Sequence, residues 1–253
     1  MKGLIPSGTE VPILALDEVD STNAEARRRA EAGETGPLWI TAARQTDGRG
    51  RRGRRWETPR GNLAATLLSV LDKPPTEAAG VSFVAALAIA DLARAFVPPE
   101  LVRLKWPNDV LLGKDKLSGV LIETGLLPDG RAWLALGMGI NLMTAPTNVE
   151  RPASSLAAHL RPEIAAPPTP EAALRQLAAS LSYWGERWLS EGFAPIAAAW
   201  SGDALGLSGP CAVRLPNETL QGAAEGLYAD GALRLRLTDG SLRRITAGDV
   251  FLP

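Results

Sequence analysis

Seven arginines fall between Arg44 and Arg60 of this 253-residue chain, and most are threaded through glycines as Gly48-Arg49-Gly50-Arg51-Arg52-Gly53-Arg54-Arg55-Trp56. Arginine offers forked, charge-assisted donors that fit phosphate. Glycine lets backbone N–H groups approach an anion with no Cβ in the way, and Trp56 has a flat face for a base. Taken alone, the string reads equally as a small-molecule phosphate site, a solvated basic turn or a nucleic-acid patch.

The same residues spell G-x-G-x-x-G. A dinucleotide-binding loop needs the last glycine to open a helix, whereas Trp56, Pro59 and Gly61 follow here, and then an apolar run from Leu63 to Leu71 that reads as a strand. The protein-kinase version needs H-R-D and D-F-G triplets, and neither occurs. There is no G-x-x-x-x-G-K-[ST] string, which excludes the usual P-loop.

A second constellation lies in the lysines. Only five occur, and three of them, Lys105, Lys114 and Lys116, fall within twelve residues running from Lys105-Trp106-Pro107-Asn108-Asp109 to Lys116. A chain that otherwise chooses arginine needs the compact, mobile ammonium there, and acyl-phosphate chemistry is one such need. Asp109 is a candidate Mg²⁺ ligand with Asn108 beside it. Lys114 reads as a solvated turn residue; Lys116 directly precedes a strand.

Net charge is −1, so the basic loop is a local feature, and a general nucleic-acid binder would spread positive charge more widely. One cysteine (Cys211) and one histidine (His159) argue against disulfide frameworks, Cys/His zinc sites and histidine-based triads, and fit a reducing cytoplasm. The start of the chain, with Lys2, Pro6 and Gly8, shows no secretory pattern, and no apolar run is long enough to span a bilayer.

The elements that must position these groups follow from periodicity. Ile13 to Leu16 reads as a strand, and Thr22 with Glu25 reads as a capping box opening a helix that ends near Gly33. Leu38 to Ala43 and Leu63 to Leu71 read as strands, and Val81 to Val97 as a buried helix stopped by Pro98-Pro99. Leu101 to Trp106, Val110 to Leu112, Leu117 to Leu126 and Trp133 to Leu142 read as four more strands. After the proline-rich stretch from Pro162 to Pro170, a helix is expected to run to Gly192. Beyond Gly206 the pattern turns to short β segments joined by Asn and Asp-Gly turns. The expected class is α+β: a mixed, largely antiparallel sheet with helices over residues 1–205, then a small β-barrel over 206–253.

With these residues in place a family resemblance emerges. The motifs are Asp17-Glu18-Val19-Asp20-Ser21-Thr22-Asn23, Gln45 with the arginine loop, Lys105-Trp106-Pro107-Asn108-Asp109 through Lys116-Leu117-Ser118-Gly119, and Gly137-Met138-Gly139-Ile140-Asn141. Their order and spacing over residues 13 to 142 resemble biotin protein ligases, and the carboxy-terminal barrel resembles that family's SH3-like domain. The resemblance implies a class II synthetase-like catalytic domain that makes biotinyl-5′-AMP from biotin and Mg-ATP. The biotinyl group then passes to a lysine of a carrier such as biotin carboxyl carrier protein. It places Ser21, Thr22, Asn23, Gln45, Arg49, Gly50, Arg51, Lys116 and Gly119 around biotin. Arg51, Arg54, Trp56, Asn108, Asp109 and Asn141 fall around the nucleotide, with Lys116 and Arg51 as the catalytic cations and Asp109 as a metal ligand. Only about a dozen residues precede the first strand, so the resemblance is to monofunctional members and no DNA binding is expected. The segment from Thr144 to Ser155 is expected to order over the adenylate. Monomer and homodimer stay open. The rivals are a lipoate or octanoate ligase of the same superfamily and a nucleic-acid-binding module built on the arginine loop.

Overall fold

The computed structural model describes residues 11–71, 79–147 and 149–252; the amino-terminal stretch holding Lys2, Pro6 and Gly8 lies outside them. Runs of β-branched and leucine-rich sequence form strands β1 (Ile13–Val19), β2 (Leu38–Gln45), β3 (Leu63–Leu71), β4 (Val102–Lys105), β5 (Asp109–Leu112), β6 (Asp115–Leu126) and β7 (Ala132–Ile140). They make one sheet in the order β1-β2-β3-β7-β6-β5-β4. Only β1 and β2 run parallel, because helix α1 (Thr22–Glu31) crosses between them, and the remaining pairs are antiparallel. The sheet is therefore mixed and largely antiparallel, as the sequence implied.

The two faces are covered unequally. Helix α2 (Ala79–Arg94) is apolar nearly all round, with Val84, Ala85, Ala88, Ile89 and Ala90 fully buried. It is sandwiched between the sheet and helices α3 (Pro170–Glu191) and α4 (Phe193–Gly202). Each large aliphatic side chain buried this way contributes about 1.5–3 kcal/mol. On the opposite face α1 is only ten residues long. Ala26 and Ala30 pack on Leu38, Ile40, Leu68 and Ala135, and the sheet beyond the helix amino terminus is left open. That gap becomes the site.

Two local expectations are corrected. The capping box does not form: Ser21 is the N-cap residue and its side chain makes no cap bond. Thr22 instead turns its hydroxyl to Gln45 and Thr66, and the Glu25 carboxylate is taken by Arg28 and Arg29. At the other end Gly33, with φ +94°, follows the helix as expected. The carboxy-terminal strands β8 (Ser208–Arg214), β9 (Thr219–Leu227), β10 (Leu233–Leu237), β11 (Leu242–Ile245) and β12 (Asp249–Phe251) form an open five-stranded antiparallel sheet, β11-β10-β9-β8-β12, rather than a closed barrel. The edge strands β11 and β12 are four and three residues long, and each pairs with one neighbour. Instead of closing on itself, this sheet joins the apolar core of the larger one: Leu233, Leu235 and Val213 share a cluster with Phe83, Trp106 and Trp200. Trp106 Nε1 also donates to Gly231 O at 2.9 Å.

Candidate active site

Small residues build the floor of the open face. Across β3, β7 and β6, Ala64 pairs with Gly139 and Gly139 with Gly119; one step on, Thr66 pairs with Gly137 and Gly137 with Leu121. A Cβ at Gly137 would overlap the Asn23 amide, and one at Gly139 would overlap the Trp56 indole. The two glycines are therefore seats, one for Asn23 from α1 and one for Trp56 from the arginine loop. A Cβ at Gly119 would stand 3.0 Å from Lys116 Nζ, so this third glycine clears space for the ammonium.

At the amino terminus of α1 a hydrogen-bonded chain fixes every amide. Gln45 Oε1 accepts from Thr22 N at 2.8 Å and from Thr22 Oγ1 at 3.2 Å, while Gln45 Nε2 donates to Thr58 Oγ1 at 3.0 Å. The Thr66 hydroxyl lies 2.8 Å from Thr22 Oγ1 and 2.7 Å from Asn23 Oδ1, and Asn23 Nδ2 donates to Glu123 Oε2 at 2.8 Å. Gln45 thus does the capping that Ser21 does not, and a helix end dressed with hydroxyl and amide groups faces the pocket.

The arginine loop folds as a miniature hairpin. Trp56 N donates to Gly48 O at 2.8 Å and Gly50 N to Arg54 O at 2.7 Å, with Arg52 (φ 58°) and Gly53 (φ 71°) at the tip. This corrects one expectation: the N–H groups of Gly50, Arg54 and Trp56 are used inside the loop. Gly50 thus serves the turn, and side chains supply the cationic donors. Arg51 is partly buried, with Nη1 3.1 Å from Asn108 Oδ1 and 3.3 Å from Gly248 O. Burial pushes its pKa down, opposed by Asp249 and Asp109, yet a guanidinium remains charged.

Lys116 completes the rim. Its Nζ lies 2.6 Å from Asp109 Oδ1 and 5.5 Å from the Trp56 ring centroid. Lys114 is exposed at its turn, as expected. The pocket enclosed is about 440 Å³, within the usual range for one organic ligand. Ser21, Thr22, Asn23, Gln45, Arg49, Gly50, Arg51, Arg54, Trp56, Asn108, Lys116, Gly119 and Asn141 all line it.

Asp109 departs from the set. It does not line the pocket; its carboxylate is buried, with one oxygen on Lys116 and the other 3.6 Å from Arg151 Nη1. Both carboxylate oxygens of Asp109, expected as a metal ligand, face cations in this arrangement. Among the described residues no group of three or more His, Cys, Asp or Glu side chains could hold a metal ion. Asn141 is buried, and its Nδ2 donates to Ser154 O at 3.1 Å, so its amide ties down the segment that follows β7. That segment supplies lining the sequence did not assign: Pro146, Val149, Glu150, Arg151 and Ala153. It is held beside β6 by Lys116 N donating to Pro152 O and Ser154 N donating to Lys116 O. Arg151 stacks its guanidinium 4.4 Å from the Phe251 ring centroid, with Nε and Nη2 buried and without a hydrogen-bond partner.

Lys105 stands opposite Asp109 in the β4–β5 ladder and is buried. Burial first, then the charges of Arg151 and Lys116, lower its pKa to about 8, against the pull of Asp109 and Asp249. Between that value and an unfolded-state value of about 10.4, the unfolded chain binds more protons, so stability from this group rises with pH; below the window its cost is full and constant. Lys105→Met is therefore expected to be more stable than wild type at pH 7, by about 2 kcal/mol, and to lose that advantage as pH climbs through the window. Urea unfolding at several pH values checks this; a difference that does not change with pH contradicts it.

The pocket has an apolar floor of small residues, a wall of neutral donors and acceptors, and a cationic roof, which suits a ligand with a polar head, an apolar body and an anionic end. The model of the Biotin/lipoate A/B protein ligase family matches residues 16–132, and that of the Biotin protein ligase C terminal domain matches residues 210–252. The biotin–[acetyl-CoA-carboxylase] ligase of Paracoccus denitrificans is 39% identical over 93% of this chain and 98% of its own length. The bifunctional ligase/repressor BirA of Escherichia coli (strain K12) is 30% identical over 95% of this chain and 74% of its own length. The solved structure of biotin protein ligase from Aquifex aeolicus in complex with biotin and ATP shares the fold, with a TM-score of 0.75 over 95% of this chain and 97% of that one at 24% identity. With near-full-length identity of that order and both family models matched in sequence order, the chain belongs to the biotin protein ligase family.

Proposed function

We propose that this protein joins biotin to ATP as biotinyl-5′-adenylate and passes the biotinyl group to one lysine of a carrier domain such as biotin carboxyl carrier protein. The observation that carries this reading is the order of groups along one pocket: neutral hydrogen-bonding residues at the α1 end, a glycine-lined floor, and Lys116 with the arginine loop at the other end. The ureido head of biotin, with one acceptor and two donors, suits Ser21, Thr22, Asn23 and Gln45, with Arg49 and Gly50 beside it. The valeryl chain suits the floor at Gly119 and Gly137. Arg51, Arg54 and Lys116 meet the reacting carboxylate and α-phosphate, and Trp56, Asn108 and Asn141 lie on the nucleotide side.

In the first step a carboxylate oxygen attacks the α-phosphorus and pyrophosphate leaves. In the second the acceptor amine attacks the mixed anhydride and AMP leaves. Neither step requires a side-chain nucleophile; the chain's residues position the reactants and stabilise the charge that develops on phosphate. Any magnesium in the reaction would arrive with the triphosphate. Residues 1–205 would carry the adenylation chemistry and 206–253 would support it. We infer a cytoplasmic setting, in keeping with the free, buried Cys211; no helix among the described residues is long and apolar enough to cross a membrane.

Incubation with ATP, biotin and a carrier domain should add the mass of one biotinyl group to one acceptor lysine, and excess lipoate should not compete. Lipoylation in preference, or salt-sensitive capture of duplex DNA without acyl transfer, would move the assignment to a rival class. A second check targets the floor. Gly139→Ala would push Trp56 off its seat, and overpacking of this kind costs about 1–3 kcal/mol, so the KM for ATP should rise about tenfold or more. The KM for biotin should move much less, and equal increases in both would count against Trp56 as a nucleotide contact.

A further inference from the structure

The arginine loop is fastened to the carboxy-terminal sheet at one carboxylate. Asp249, on β12 and only 4% exposed, accepts from Arg54 Nη2 through Oδ1 at 2.8 Å and from Arg52 Nη1 through Oδ2 at 3.2 Å. The neighbouring Gly248 carbonyl accepts from Arg51 at 3.3 Å. Three successive cations of the loop's distal half thus converge on two residues nearly two hundred positions away. Arg214 of β8, which pairs with Glu150 at 2.9 Å, adds a more distant cation 3.8 Å from Asp249 Oδ2.

The backbone supplies an independent sign that this fastening is built in. Arg52 is the one non-glycine residue with positive φ among the described residues, and left-handed backbone costs an L-residue about 1–2 kcal/mol. A glycine there would avoid the strain, and Gly53 next to it already shows the loop tolerates one. What arginine adds at position 52 is the guanidinium that reaches Asp249. Burial raises the Asp249 carboxyl pKa, but Arg54, Arg151 and Arg52 outweigh burial and hold it below the usual carboxylate range, so the anion persists at neutral pH.

We propose that Asp249 is a positioning residue for adenylate formation: through Arg52 and Arg54 it holds the arginine loop over the pocket before any ligand arrives, making the carboxy-terminal sheet a part of the nucleotide site. Preorganising a loop removes its ordering cost from ligand binding. In the full-length, ligand-free protein, Asp249→Asn should raise hydrogen exchange at the amides of residues 50–56 about tenfold or more while β9 and β10 stay protected. Arg52→Gln breaks one of the two pairs from the loop side, leaving the sheet untouched, and should have a smaller effect in the same direction, because Arg54 keeps its 2.8 Å bond to Asp249. The two changes combined should loosen the loop little more than Asp249→Asn alone, and Asp249→Glu should restore part of the protection.

The kinetic arm rests on the adenylation reading: Asp249→Asn should raise the KM for ATP about tenfold with little change in that for biotin. The exchange arm needs no substrate, so it tests the latch even if the assigned reaction is wrong. Unchanged loop exchange in both single variants, strictly additive effects in the double variant, or a lower KM for ATP in Asp249→Asn would overturn the proposal. The last result would make Asp249 a competitor of phosphate for the arginines.

Discussion

Lys116→Ala is expected to slow pyrophosphate release by about 10²–10³-fold, the usual cost of deleting one preorganised donor from a developing anion. Biotin affinity should change by less than about threefold, because the contact matters when charge moves from carboxylate to phosphate, not before. The ammonium is held 2.6 Å from Asp109 and faces Trp56 across 5.5 Å, a geometry that keeps it at the rim of the pocket. Lys116→Arg should rescue poorly, since the space at Gly119 fits an ammonium, a Cβ there already standing 3.0 Å from Nζ, and a planar guanidinium needs more. Single-turnover measurement of pyrophosphate, with isothermal titration of biotin, separates the two effects. Near wild-type release by Lys116→Ala would remove this residue from the chemical step.

Arg51→Gly is expected to shorten the lifetime of the adenylate on the protein by about ten- to a hundredfold. Arg51 ties three parts of the site together: it belongs to the loop, donates to Asn108 beside β5, and reaches Gly248 at the carboxy-terminal sheet. Glycine at this position removes the cation and these bonds, and adds backbone freedom to a turn that already contains three glycines. Rates of adenylate formation should fall less than retention does. The dissociation rate of purified adenylate, followed by rapid filtration, is the measurement; an unchanged rate would mean the loop does not retain the intermediate.

How far these residues were legible in the sequence depends on how locally their role is determined. The strands were readable because alternation and apolar runs are local signals, and Leu63–Leu71 emerged with the expected bounds. Helix α4 had no assignment in the sequence; Pro195 falls in its first turn, where proline is tolerated. Strand β12 was too short to show a pattern. The motif Gly137-Met138-Gly139 was visible as a string, but its reason lies in two side chains, Asn23 and Trp56, arriving from distant segments. Of the loop glycines assigned to anion contact, Gly50 uses its N–H inside the turn. Arg151, Glu123 and Asp249 carried no signal at all. Arg151 follows a stretch without periodicity, and the partners of Glu123 and Asp249 lie about one hundred and nearly two hundred residues away. Asp109 was read as a metal ligand, but sequence shows a carboxylate's neighbours along the chain and not the two cations that fold against it.

A crystal structure of the protein with biotin and a slowly hydrolysed ATP analogue tests the central claim most directly. The account places the ureido ring against Thr22 and Gln45, the carboxylate within hydrogen-bonding distance of Lys116, and the α-phosphate under Arg51 and Arg54. Either ligand bound outside that pocket, or the carboxylate turned toward α1 and away from Lys116, would contradict it.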